Sequence, residues 1–477
     1  MKAPAIALLA IAALVAGCLS GGDSDSVDYG AIERAIGAPV VEGHDHLDPS
    51  LHQGSYNLER TALLTGEEGR ARQETEFFVE TAVKGGYAYL CRTGPDQGLV
   101  VFDVADIERP KQVGYLKLEA GYEPDIEVSD DGHWGFWETQ RFPLSIEVPS
   151  ATDPLANSPR GIHIVDLTDK TAPRWAGFTP LLLDGPHSIT YANIAGRHIV
   201  FANAYSYLYR DDFQNAHPPT MQRLVILELQ ASGSLAELKT LAEYRDPNAQ
   251  AQIVGQGDLV PHDVSIQVHP LTGRAYAYLA YWDLGVVILD VSDPAHPVKV
   301  GETVDFGPAT YRDIHMARPF PHLIAGRHVT VAEPEIAAEA DSGYLTFIDT
   351  TDPAHPTYLS SWKLPGELTS EAGILGPHYF DTANGLVALA SYHAGFWVID
   401  VHDGENLLHP RSVGYALVNA TRTGLAFPNR LDVFGPAPLA FDAWWADATH
   451  ILGGDVYGGL AVYRYEGPLH LATPFTN

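Results

Sequence analysis

The chain has 477 residues and a formal net charge of −31. That length is too great for one ordinary layered core, and that charge excludes nucleic acid as a partner, because a polyanion would be repelled. Gly 44, Pro 34 and Tyr 23 against Met 3 favour strands and turns over helices.

Residues 1–18, "MKAPAIALLAIAALVAGC", carry one Lys, then an apolar run, then small residues directly before Cys18. The run is short for a membrane span and reads as an export signal. The box around Cys18 looks like a bacterial or archaeal lipoprotein cleavage site, which implies a lipid on Cys18 and an extracytoplasmic, membrane-anchored protein. Either a bacterial periplasm or outer membrane, or an archaeal cell surface, satisfies this reading. Residues 19–54, opening on "LSGGDSDS", are expected to be a polar linker and lead-in. With Cys18 lipidated, Cys91 is the only thiol of the mature body, so no intramolecular disulfide forms and packing must supply stability. Its own surroundings read as a strand end with a small buried apolar residue.

From residue 98 onward one pattern recurs: "GLVVFDV" (98–104), "GIHIVDL" (161–167), "RLVILEL" (223–229), "GVVILDV" (285–291), "YLTFIDT" (344–350), "GFWVIDV" (395–401) and "GLAVYRY" (459–465). The acidic position falls at Asp103, Asp166, Glu228, Asp290, Asp349 and Asp400, and Arg464 breaks the rule. Most runs continue into a turn and a further strand, as in "SDPAHPVKVGET" and "TDPAHPTYLSSW". A period of 51 to 64 residues built from short apolar runs signals a β-propeller. The seventh repeat has three strands and then only "GPLHLATPFTN", whereas "SYNLERTALLTG" (55–66) has the look of a fourth strand with no blade before it. The expectation is therefore an all-β, seven-bladed propeller over 55–466 closed by that N-terminal strand, with a tail over 467–477. A six-bladed ring with an appendage is the alternative.

These runs and their Asp-Pro turns resemble the LVIVD-repeat family of exported β-propellers, over roughly residues 75–466, and are distantly similar to the selenium-binding protein and methanethiol oxidase propellers. The resemblance implies that each blade's first strand lines a central channel and starts on the face that also carries the loops between second and third strands. It also brings histidine-rich metal centres into view. Counting back from each motif, first strands begin at "EPDIEV" (123–128), "GPHSIT" (185–190), "VPHDVS" (260–265), "RDIHMA" (312–317) and "GPHYFD" (376–381). His187, His262, His315 and His378 then fall at one height near the axis, with Asp125 in the equivalent place of the second blade.

Ends of second strands add Glu138, Asp283, Glu333, His393 and Asp455 on that face, and the insertions 139–160, 205–221 and 334–342 would roof it. Neutral imidazoles suit Fe, Cu or Zn, and carboxylates nearby orient their second nitrogens. Two readings stay open. In the first, the four histidines hold a transition metal, Fe or Cu rather than Zn, with Asp283, Glu333 and His393 as acid–base or supporting groups for oxidation of a small molecule. In the second, they are satisfied by water, and the chain is a non-catalytic surface module that binds a protein or glycan. His44 and His46 read as a solvated lead-in, and His296 and His355 as turn residues of the opposite face. No nucleophile elbow, Walker loop, HExxH or CxxC is present.

Overall fold

The computed structural model describes residues 27–36, 54–64, 78–93, 97–118, 124–140, 160–181, 185–204, 223–250, 260–303, 305–307, 314–335, 344–365, 375–417, 439–456 and 458–470. Seven antiparallel sheets stand around one axis: blade one spans 78–117, blade two 126–180, blade three 186–244, blade four 264–303, blade five 314–363, blade six 380–416 and blade seven 440–465. The seventh is completed by Leu58–Leu64, which pairs antiparallel with Gly459–Tyr465. The short strand Ser55–Tyr56 first adds a fifth strand to blade six. The N-terminal segment thus bridges blades six and seven, and the ring is closed by seven blades.

The repeat motif is the third strand of each blade, and its chemistry explains its spelling. Neighbouring blades cover both faces, so Gly285–Asp290 is buried along almost its whole length and reads as a continuous apolar run. In this blade the first residue of the strand must be glycine. Gly285 has φ +98°, and a Cβ there would lie 2.3 Å from the carbonyl oxygen of Thr303 in the fourth strand. The closing acid makes the turn: Oδ1 of Asp103, Asp166, Asp290, Asp349 and Asp400 accepts the backbone N–H two residues on, at 2.9 to 3.0 Å. Arg464, the exception, is held by Glu59 of the closing strand and by Glu108 of blade one. His296 and His355 are exposed, each on the aspartate of its own turn at 2.8 Å.

The lead-in expected as a linker contains a helix, Tyr29–Ile36. Ile32 and Ile36 are buried in the core of blades five to seven, and Glu33 pairs with Arg411 at 2.7 Å. The helix is amphipathic with period 3.6, a pattern hidden by the polar residues before it. No helix of the described residues is long and apolar enough to cross a membrane. Cys18, His44, His46 and most of the roofing insertions lie outside the described residues.

Closure can be weighed residue by residue. Leu58 is 2 % exposed and packs in the core shared by blades five to seven. Leu58→Ala is expected to cost about 2–5 kcal/mol in urea unfolding. Glu59→Ala, on the solvent side of the same strand, is expected to leave the midpoint in place. Equal effects would mean that the strand does not latch the ring.

Candidate metal centre

At one end of the channel the innermost strands carry a repeated irregularity. Two residues of the first strand face one residue of the second, a β-bulge that re-aims the extra side chain. In blade three the register steps from Pro186 to Ser188, leaving His187; in blade five it steps from Ile314 to Met316, leaving His315. In blades four and six one alanine faces both members of a pair. The N–H of His262 donates to Ala280, whose own N–H donates to Asp263; Ala390 is bonded in the same way to His378 and Tyr379. The four histidines are thus at one structural position in four successive blades. Asp125 is one place further along: Glu138 N–H donates to its carbonyl as Ala280 does to that of Asp263. Pro124 takes the histidine position of blade two, and Phe441 takes it in blade seven.

Backbone bonds between blades set the spacing of the ring. Ile314 N–H donates to Trp282 at 3.2 Å, Tyr379 N–H to Phe441 at 3.2 Å, and Ala440 N–H to Tyr392 at 3.0 Å. The imidazoles follow one another around the axis with centroid separations of 4.4 Å (His187 to His262), 4.2 Å (His262 to His315) and 4.6 Å (His315 to His378). Trp282 stacks on His262 at 4.8 Å, and Phe441 lies 3.7 Å from His378.

Each ring has its Nδ1 held by an oxygen. His378 Nδ1 is 2.8 Å from the carbonyl of Phe441, which can only accept, so the proton is on Nδ1 and Nε2 carries a lone pair. With the carboxylates ionised, the same holds for His262 on Asp263 (3.0 Å) and His315 on Glu333 (2.7 Å), and the amide oxygen of Gln140 serves His187 (3.1 Å). Asp263 also accepts the Tyr379 hydroxyl at 3.1 Å. The Nε2 atoms of His187 and His262 approach to 2.9 Å, hydrogen-bond distance, with the donor set by which ring carries the proton there.

Burial governs the charges. It holds His187, His315 and His378 far below the usual histidine range and His262 at about 3, so the imidazoles are neutral. It pushes Asp263 and Glu335 up to about 7, and Glu333 well above its ordinary value. Ligand atoms of His262, His315 and Glu335 lie within 4.8 Å of one another. Two imidazoles and a carboxylate with open positions are the donor set of non-haem iron sites.

The structure therefore brings together His187, His262, His315 and His378, with Glu333 directly on His315. Asp283 is half-buried in the turn beside Trp282, and His393 is fully buried in the turn beside Tyr392. Asp455 accepts from Leu439 N–H at 2.8 Å and so serves its own blade. Glu335, Asp263, Tyr379 and Gln140 were absent from the sequence-based site. The first three sit one or two residues from expected members, in "PHD", "PHY" and "AEPE", which is the signal that marks them.

Below the ring the channel widens into a cavity of about 380 Å³, whose lining includes Glu80, Asp125, Asp263, Tyr379, Arg318 and Trp444. Arg318 bonds Asp381 at 3.0 Å and lies 4.6 Å over Trp444. Asp263 and Tyr379 face both the cavity and the ring.

The hydrogen bonding of His315 is open to test. Glu333→Gln keeps an acceptor for Nδ1–H and removes a buried acid, so its stability should stay within about 1 kcal/mol of the parent. Glu333→Ala orphans a buried N–H and should cost about 1–3 kcal/mol. Urea unfolding of the two variants in the reverse order would contradict a donating Nδ1.

The LVIVD repeat model matches residues 274–305. No curated protein matches the chain. Among solved structures, a hypothetical selenium-binding protein from Sulfolobus tokodaii is 14 % identical with TM-score 0.41, over 59 % of this chain and 64 % of its own. A protein from Lactobacillus plantarum is 12 % identical with TM-score 0.41, over 68 % of this chain and 80 % of its own. Saccharomyces cerevisiae Sqt1 is 10 % identical with TM-score 0.49, over 83 % of this chain and 97 % of its own. Likenesses this distant carry no chemistry. The chain is thus a seven-bladed β-propeller that carries an LVIVD repeat over residues 274–305.

Proposed function

We propose that the channel histidines bind a redox-capable transition metal, and that the protein oxidises a small molecule admitted through the channel. The observation that carries this reading is the ring of four imidazoles with centroids 4.2 to 4.6 Å apart, in which ligand atoms of His262, His315 and Glu335 lie within 4.8 Å of one another. His187, His262, His315 and His378 would be ligands, joined by Glu335 through the triad it forms with His262 and His315. That triad favours Fe, the histidines alone also suit Cu, and Zn would bind without redox chemistry. When bound, such a metal supplies one-electron and oxygen chemistry.

The chain's own residues do the rest. Asp263, Glu333 and the Phe441 carbonyl fix the tautomers and aim the rings. Tyr379, bonded to Asp263 and lining the cavity, is a proton donor or acceptor at the boundary between substrate space and ring. Asp283 and His393 flank the centre as further acid–base groups. The cavity sets the size class of substrate at a small molecule.

Protein purified without chelator should hold about one equivalent of Fe or Cu. His262→Ala with His315→Ala should abolish it and leave the far-ultraviolet dichroism of the propeller unchanged. Under about a tenth of an equivalent, with no uptake on reconstitution, would sink the metal reading and leave the surface-binding module in its place.

We also propose export and anchoring through a lipid on Cys18, supported by the sequence around that residue. Cys18→Ser should move the protein from the membrane to the soluble fraction. Unchanged membrane retention would refute lipidation.

A further inference from the structure

On the opposite face, the third-strand carboxylate is neutralised by an arginine of the first hairpin in three consecutive blades. Glu228 pairs with Arg197 at 2.6 Å, Asp290 with Arg274, and Asp349 with Arg327. The equivalent acid of blade six is Asp400, and strand register puts Asn384 in the arginine's place. Asp400 is nevertheless fully buried. An unpaired buried carboxylate is costly, so its partners must come from elsewhere.

They come from both ends of the chain. Tyr29, in the N-terminal helix, donates its hydroxyl to Oδ2 at 2.8 Å. His402, just past the strand, places Nδ1 2.8 Å from Oδ1. His470, in the C-terminal segment, places Nε2 2.8 Å from Oδ2. The two imidazoles stack face to face, with centroids 3.4 Å apart and planes 6° from parallel. The stack brings one nitrogen of each ring to the same carboxylate.

We propose that Asp400, His402 and His470 form a second, peripheral site for a divalent metal of the Zn²⁺ type, separate from the channel centre. Their ligand atoms lie within 4.8 Å of one another. Two imidazole nitrogens and one carboxylate oxygen leave a fourth tetrahedral position for water. The His402 and His470 side chains are 25 % and 17 % exposed, which gives the ion a way in. Outer partners are in place: Tyr29 orients the carboxylate, and the second ring nitrogen of His402 lies 3.4 Å from Asp403. The site staples the C-terminal segment directly to blade six, and holds the helix Tyr29–Ile36 there through Tyr29.

The probe is Zn²⁺ alone, added to chelator-stripped full-length protein. In the His262→Ala/His315→Ala background, where the channel centre is removed, calorimetry should still give about one equivalent. Adding His402→Ala and His470→Ala should abolish it. In the otherwise unchanged chain, Zn²⁺ at ten times its Kd should slow tryptic cleavage after Arg34, in the last turn of the helix, by roughly tenfold. His470→Gln keeps a hydrogen bond to Asp400 and removes a ligand, so it should lose the Zn²⁺ effect while its metal-free melting temperature holds. Zn²⁺ bound with the same stoichiometry after loss of both histidines, or no slowing in the unchanged chain, would overturn the proposal. Failure of the channel metal would show instead as a metal-free parent and would leave these titrations as predicted.

Discussion

The channel centre depends on one backbone device, the place where two residues of a blade's innermost strand face a single residue of the next strand. A strand in perfect register would send successive side chains to opposite faces, and half of any polar pair would be driven into the apolar space between blades. The bulge frees His187, His262, His315 and His378 from that alternation. Because it recurs in successive blades, rotation about the axis turns one local irregularity into a ring of imidazoles 4.2 to 4.6 Å apart. Inter-blade bonds through Trp282, Phe441 and Tyr392 hold that spacing.

Buried together, these groups set a problem of charge. Desolvation disfavours protonated imidazoles and ionised carboxylates alike, and the shifts of His262 and Glu335 in opposite directions show both halves. Without a cation the carboxyl groups keep protons and the rings stay neutral, with the Nε2 atoms of His187 and His262 at hydrogen-bond distance, 2.9 Å. A bound cation would take up imidazole lone pairs and restore the carboxylates.

The fold was legible because its signals are short-ranged and repeated: a glycine where the fourth strand's carbonyl passes, an apolar run buried on both faces, and an acid that caps its own turn. The closing strand was legible by subtraction, since blade seven lacked a fourth strand and 55–66 lacked a blade. The histidines could be placed by register alone, because each lies a near-constant distance before its hairpin. Register fails where bulges differ, which is why Asp125 was set one position off. Glu335 was missed because it lies beyond the strand end, and Asp263 and Tyr379 because adjacent strand residues are expected on opposite faces. The helix Tyr29–Ile36 and His470 escaped for another reason: only tertiary packing brings them to Asp400, 371 and 70 residues away in sequence.

The central claim is that the imidazole ring coordinates a metal through Nε2. X-ray absorption at the metal edge of the native protein tests it most directly. The account predicts a first shell of nitrogen and oxygen with the outer-ring scattering of two or more imidazoles, lost in the His262→Ala/His315→Ala variant. A shell without imidazole scattering, or one unchanged in that variant, would contradict it.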